Sequence, residues 1–265
     1  MRFASLGSGS KGNATLIQAG RTCLLLDCGF SLRELELRMA RLHMHPGQLQ
    51  AVLVTHEHGD HLKGVGPLAR KYGMPVWMTH GTWRNAPCGD IPELRLFGSH
   101  TPAFRIGDVH VSPFAVPHDA REPIQFTFEH DGVKLGILTD AGSFTPHMLA
   151  AIEDVDALLL ECNHDTGMLR DGPYPPRLQA RVGGDYGHLS NAQAADLLSR
   201  IRHQRLQHLV IGHLSEQNNC PEIARRTVAA VSEDLDERIS VLCQTGISGW
   251  FELASAVARA APVSS

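Results

Sequence analysis

The run Val52-Leu53-Val54-Thr55-His56-Glu57-His58-Gly59-Asp60-His61 constrains this chain more than any other stretch. An apolar, β-prone segment ends in three histidines and an aspartate within six residues, which reads as a buried strand opening into a turn at Gly59. Strand side chains alternate with period two, so His56 and His58 project the same way, and the turn lets Asp60 and His61 face back toward the same point. Imidazoles suit zinc and its first-row neighbours, and a carboxylate suits harder ions such as manganese. A histidine-rich surface turn would not require such a concentration of donors. The spacing predicts a metal centre at the strand end, followed by a helix over 62–72.

Other apolar segments end the same way. Strands are expected at 109–116, 133–138 and 207–211, and they run into His118, Asp140 and His213. A continuous apolar strand at 22–26 ends at Asp27. Further strands are expected at 3–6, 14–18, 75–78, 124–129, 157–160, 240–243 and 249–253, with an Asp-Gly hairpin turn at Asp131-Gly132. Ser31 with Glu34 and Ser190 with Gln193 form Ser-x-x-Glu/Gln capping boxes that open helices to about 42 and 204, and a third helix is expected over 221–235. The glycine-rich residues 7–13 are a turn between strands, or a loop whose N–H groups edge an anionic site. Residues 81–100 read as irregular. Residues 166–187, rich in glycine and proline, read as a long loop carrying Arg170, Arg177 and Arg181. No linker, repeat or low-complexity segment interrupts the chain, so 1–253 is expected to be one domain and 254–265 a frayed tail. Trp77, Trp83 and Trp250 are core or rim residues, with no aromatic stacking platform evident.

With 43% hydrophobic and 20% charged residues over 265 positions, the chain has the composition of an ordinary globular protein. A formal net charge of −4 argues against nonspecific coating of nucleic acid but permits a locally basic groove. The six cysteines are scattered, with no Cys-x-x-Cys pair. That spacing favours reduced thiols over a disulfide framework, and the first residues are too weakly apolar for a signal peptide. No run approaches the length of a membrane span. A cytoplasmic protein is expected.

The pattern His-x-His-x-Asp-His after a hydrophobic strand resembles the signature of the metallo-β-lactamase superfamily. The resemblance implies an α+β fold: an αββα sandwich of two mixed sheets flanked by helices. It also implies two metal sites: His56, His58 and His118 would hold one divalent ion, Asp60, His61 and His213 the other, and Asp140 would bridge them. Asp27 would brace the metal-binding loop without touching metal. Zinc, manganese or iron would suit this set, and a bridging hydroxide would be the nucleophile, with Asp60 among the catalytic groups. Members with a redox di-iron centre carry glutamate at the position of His58, so the site looks hydrolytic. Six stretches narrow the family: Ser8-Gly9-Ser10-Lys11-Gly12-Asn13, Leu26-Asp27-Cys28-Gly29, Val54 to His61, Glu161-Cys162-Asn163-His164-Asp165, Gly187-His188-Leu189-Ser190-Asn191 and His213-Leu214-Ser215-Glu216-Gln217-Asn218-Asn219. Together, over residues 3 to about 253, they resemble the YycJ/WalJ family of bacterial nucleases, which is associated with 5′→3′ exonuclease activity on double-stranded DNA and with mismatch repair. Gly183-Gly184-Asp185-Tyr186 departs from that family's usual run.

His188 precedes the capped helix at Ser190, where an imidazole could contact phosphate or protonate a leaving oxygen; the alternative is a structural hydrogen bond at the cap. Asn163 and His164 would shape the pocket, and Arg170, Arg177 and Arg181 are candidate phosphate contacts. The expected function is a dinuclear metal-dependent exonuclease on DNA. The alternatives are a small-molecule phosphodiesterase on the same fold, a thioester or lactam hydrolase, and a non-catalytic metal-binding scaffold. The chain is too short for the large inserted domain of the CPSF-type nucleases and lacks the long basic arm of the tRNA 3′ processors. Native metal, strand preference and oligomeric state are not encoded in any motif.

Overall fold

The computed structural model describes residues 1–255. Fourteen strands among them form two seven-stranded sheets. The first is built from the N-terminal half: β1 (Arg2–Gly7), β2 (Ala14–Ala19), β3 (Thr22–Leu26), β4 (Ala51–Leu53), β5 (Val76–Thr79) and β6 (Leu94–Phe97). The second holds β7 (Phe104–Ile106), β8 (Val109–Ala115), β9 (Ile124–His130), β10 (Val133–Leu138), β11 (Ala157–Glu161), β12 (His208–Gly212) and β13 (Ile239–Val241). The chain then returns as β14 (Phe251–Glu252) to pair with β1 at the edge of the first sheet.

Period-two alternation explains the layering. In β3, Leu24 and Leu26 face the core between the sheets, while Cys23 and Leu25 face outward onto helices. In β11, Ala157 and Leu159 face the inter-sheet core, and Leu158 and Leu160 face the opposite helix layer. Both faces are buried, so these strands read as continuous apolar runs. The first helix layer is α1 (Leu32–Arg41) and α3 (Val65–Tyr72), packing Leu35, Met39 and Leu68 onto β2–β4. The second includes α5 (Pro146–Ala151), α8 (Asn191–Ser199) and α9 (Pro221–Ala229), packing Met148, Leu197 and Val228 onto the outer face of β10–β12. This is the expected αββα sandwich in a single domain. Within each sheet β3, β4, β5 and β6, and again β10 to β13, run parallel, which sends their C-terminal ends to one rim.

Several local expectations are corrected. Gly59 does not break the chain but opens a helical turn, α2 (Gly59–Leu62), separate from α3. Residues 81–100 are not irregular throughout: α4 (His80–Asn85) is capped by the Thr79 hydroxyl, and β6 pairs with β5. Residues 166–187 hold two short helices, α6 (Thr166–Asp171), capped by Asp165, and α7 (Pro176–Val182), started by proline. Tertiary pairing and single caps create these pieces, too short to show periodicity. The same holds for β7 and α5, which the sequence did not flag. Ser31 caps α1, but Glu34 turns to Arg38 (2.7 Å) rather than closing the capping box, whereas the Ser190–Gln193 box is closed on both arms. α8 ends at Ser199, α9 at Ala229, and the edge strand is only Phe251–Glu252. Asp131 and Gly132 take positive φ of 49° and 71°, as their hairpin turn requires.

The described cysteines are free. Burial pushes the Cys23 thiol up to about 11 and the Cys28 thiol up to about 12, so both behave as small apolar residues. Among the described residues no helix is long and apolar enough to cross a membrane. Ala254, placed in the expected tail, hydrogen-bonds Gln207 through both its N–H and its C=O (2.9 Å each). The rest of that expected tail, 256–265, lies outside the described residues.

Candidate metal centre

Strand β4 ends at Leu53, and the chain leaves the parallel rim as a loop carrying His56 and His58 before α2 presents Asp60 and His61. His118 follows β8, Asp140 follows β10 and His213 follows β12, all at that rim. His56, His58 and His118 each bring one ring nitrogen to within 4.8 Å of the others. Asp60, His61 and His213 form a second such group. Asp140 lies between them: its carboxylate oxygens are 3.4 Å from His61 Nε2, 3.4 Å from His213 Nε2 and 4.0 Å from His118 Nε2. All seven residues expected from the sequence therefore converge.

Three of the imidazoles are aimed by a neighbour. Asp27, buried, accepts from the Thr55 N–H (2.8 Å) and hydroxyl (2.9 Å) and binds His61 Nδ1 (2.8 Å), so His61 turns Nε2 to the centre. His118 Nδ1 meets the Gly187 carbonyl at 3.0 Å, and His213 Nδ1 meets Glu161 Oε1 at 2.8 Å. Such outer contacts fix tautomer and ring direction in metal sites. Asp27, Asp140 and His213 hold left-handed backbone, φ 60°, 55° and 55°. Three strained residues in one site are tolerated only where surrounding structure imposes them.

Two observations test the fit to metal. Asp140 Oδ2 and His213 Nε2 are buried with no hydrogen-bond partner, an uncommon state for a buried polar atom. The donors are nitrogen and oxygen throughout, a set that suits divalent zinc, manganese or iron. The electrostatics divide the two groups. Burial, joined by the neighbouring imidazoles, holds His56 well below its usual range. His61 is also buried, yet Asp140, Asp27 and Asp60 together outweigh burial and hold it well above that range. For His213, burial is outweighed by Asp140, Asp60 and Glu161, which push it up to about 10. Asp60 is desolvated too, but His61 and His213 bring its carboxyl far below the usual value.

Residues 22–213 match the family model of the β-lactamase superfamily domain. The chain is 36% identical to exodeoxyribonuclease YycJ of Bacillus anthracis over 237 residues, covering 88% of this chain and 90% of that one. It is 36% identical to exodeoxyribonuclease WalJ of Streptococcus pneumoniae over 234 residues, covering 86% of each. The chain belongs to the metallo-β-lactamase fold, in the YycJ/WalJ family. Among solved structures, the metallo-β-lactamase fold protein YhfI of Bacillus subtilis superposes with a TM-score of 0.71 at 16% identity over 93% of this chain and 98% of that one, a likeness of fold. Membership implies divalent metal, and the overlapping His/Asp groups around Asp140 are its candidate positions.

In this family member a cavity of about 390 Å³ opens over the cluster, lined on one side by His58, Asp60, Asp140, His188 and His213. The sequence missed Glu161, which organises that side. Fully buried, it receives His188 Nδ1 and His213 Nδ1, both at 2.8 Å on Oε1, and the N–H groups of Ala141 and Leu189, both at 3.1 Å on Oε2. Burial would raise its pKa, but His188 and His213 bring it far below the ordinary value. Its position at the tip of β11, where its strand neighbours end in Asp140 and His213, was the available signal.

The other expected contacts separate. Asn163 lines the cavity and donates to the His213 carbonyl (3.0 Å). His164 does not line it; with Arg170 it borders a neighbouring cavity on the other side of α7. Arg170 is paired with Asp171, and exposed Arg177 is not among the lining residues. Arg181 lines the cavity, its Nε on Asp119 Oδ2 at 2.5 Å. The loop at 7–13 contributes the Ser10 side of the cavity and the Ser8 hydroxyl that receives the His213 N–H. Its own Gly9, Lys11 and Gly12 N–H groups bond Asn13, Gln244 and Gly9, as in a turn, and are not turned to the cavity as an anion-binding edge.

One glycine locks this loop to the centre. A Cβ on Gly29 would lie 1.7 Å from the Asp60 carbonyl oxygen and 2.8 Å from the Asn13 nitrogen. Gly29→Ala is expected to destabilise by about 1–3 kcal/mol through overpacking and to displace Asp60. Denaturant unfolding, with metal content measured on the folded fraction, checks both effects.

Proposed function

We propose that this chain is a dinuclear metal-dependent phosphodiesterase acting as an exonuclease on DNA, with 5′→3′ polarity and a role in DNA repair in the cytoplasm. The observation carrying the reading is the pair of three-donor groups joined through Asp140 beneath one cavity. The identity to YycJ and WalJ, named exodeoxyribonucleases, supports the substrate class.

In this reading His56, His58 and His118 hold one ion, Asp60, His61 and His213 the other, and Asp140 both. When bound, the ions would supply Lewis-acid activation of the scissile phosphate and a nucleophile at neutral pH. The protein residues do the rest. Asp27 and Glu161 keep His61 and His213 in the tautomer that presents Nε2. Glu161 also holds His188 by Nδ1, leaving Nε2 toward the cavity, where it can give a proton to the departing sugar oxygen. The guanidinium of Arg181, held through Nε by Asp119, lines the cavity where its remaining N–H groups can meet a phosphate oxygen.

The test is degradation of an end-labelled duplex with manganese or zinc, comparing the wild type with Asp60→Ala. The wild type is expected to shorten the strand progressively from its 5′ end. Asp60→Ala is expected to lose more than about a hundredfold in rate, since metal-based charge stabilisation is worth several kcal/mol. A wild type that hydrolyses small phosphodiesters but never DNA would move the reading to a small-molecule phosphodiesterase.

A further inference from the structure

The cavity has a second wall. Besides Asp60, Asp140, His188 and His213, the cavity is lined by Tyr174, Leu178, Arg181 and Val182. Leu178, Arg181 and Val182 stand at i, i+3 and i+4 on α7, so one helix face presents two apolar side chains with a guanidinium between them. Tyr174 precedes Pro175-Pro176, and a residue before proline is held in extended backbone, which fixes where the ring departs. The wall is fastened to the catalytic side. The His188 N–H bonds the Val182 carbonyl at 2.9 Å, and Arg181 is held by Asp119, whose other oxygen is 3.5 Å from His118 Nε2.

A site that handled phosphate alone would be polar around its whole rim. This one sets an aromatic ring and two aliphatic side chains in one cavity with the candidate metal ligands, with one cation on the same face. Its volume of about 390 Å³ is near the lower end of the roughly 300–1,000 Å³ typical of ligand pockets. That is the size of a single nucleotide.

We infer that Tyr174, Leu178 and Val182 form the subsite for the nucleoside of the strand's terminal nucleotide, with Arg181 on its phosphate. The inference rests on the phosphodiesterase reading and adds which part of the substrate the second wall recognises. It makes the enzyme a reader of chain ends, because only a terminal nucleotide enters far enough to meet both walls.

Two diesters that share the thymidine 5′-phosphoryl group isolate the departing nucleoside: thymidylyl-(3′→5′)-thymidine, which releases thymidine through its 3′ oxygen, and methyl thymidine 5′-phosphate, which releases methanol, assayed with manganese. The quantity read is the ratio of their kcat/KM values within each variant, which is independent of how much of a preparation is folded. Tyr174→Ala is expected to lower this ratio about ten- to a hundredfold, that is about 1.4–2.8 kcal/mol at 1.4 kcal/mol per factor of ten, within the range for a base stacked on an aromatic ring. Tyr174→Phe keeps the ratio, since stacking does not require the hydroxyl, and Leu178→Ala lowers it several-fold. An unchanged ratio in both alanine variants overturns the inference and leaves the phosphodiesterase reading standing. If the wild type hydrolyses neither ester nor DNA, that reading fails and the subsite falls with it.

Discussion

Asp140→Ala is expected to reduce phosphodiester hydrolysis by at least about a thousandfold and to lower the bound metal from two ions per chain to one or fewer. Asp140 lies between the two donor groups, with oxygens 3.4 Å from His61 and His213 of one and 4.0 Å from His118 of the other. Removing it takes away one donor from each candidate ion and the negative charge that offsets their mutual repulsion, and several kcal/mol of charge stabilisation corresponds to such a factor. Metal analysis of the purified variant beside its turnover rate checks the prediction; full activity with one ion would sink the dinuclear assignment. Stripping the wild type with a chelator should reproduce the loss, and the pH dependence of rebinding has a defined sign. Because His213 is pushed up to about 10, metal must displace its proton at neutral pH, so affinity rises as pH rises toward that value. The stripped protein shows the opposite trend. The raised His213 contributes stability in full below its ordinary 6.5, and that contribution is lost as pH rises through about 10. The depressed carboxyl of Glu161 contributes above its ordinary 4.5 and is lost only as pH falls toward its lowered folded value. The lowered pKa of buried His56 costs stability as pH falls below 6.5, so the stability of chelated protein should fall on both sides of neutrality, measured by denaturant midpoint across pH.

The second large effect is at Glu161. Glu161→Ala leaves two imidazole N–H groups and two backbone N–H groups without their shared acceptor in a fully buried place. Breaking a buried charged pair by deleting one partner costs about 3–5 kcal/mol, and the midpoint of urea unfolding should fall accordingly. Glu161→Gln keeps the volume and is expected to fold, but its amide can accept from only one side where the carboxylate accepts from both. Loss of an outer contact to a metal site costs about 10–100-fold. The loss should fall on kcat more than KM, because His188 and His213 lose their orientation while the wall carrying Tyr174 and Arg181 remains.

Much of the candidate site was legible in the chain itself. His56, His58, Asp60 and His61 lie within one short run, which alone nominates a metal centre. His118, Asp140 and His213 each close an apolar strand, but they and Asp27 took their roles from the resemblance to the metallo-β-lactamase superfamily. The sandwich was legible for a related reason: strands buried on both faces must be apolar throughout, and such runs stand out. Elements without periodicity did not, because α4, α6 and α7 depend on single caps and on prolines, and β6 and β7 on partners elsewhere in the sheet.

What only the tertiary structure decided is which polar residues face the same space. Glu161 becomes the hub of the site by meeting His188, 27 residues away, and His213, 52 residues away, and nothing local distinguishes it from a strand-end carboxylate on the surface. The three arginines of 166–187 look equivalent as sequence, yet only Arg181 turns inward, since the short helix α7 sends positions 178, 181 and 182 to one face and leaves 177 outside. A ligand set concentrated at strand ends is written in local sequence because parallel strands must end at a common rim. The second wall is not, because the pitch and placement of a two-turn helix are fixed by what it packs against.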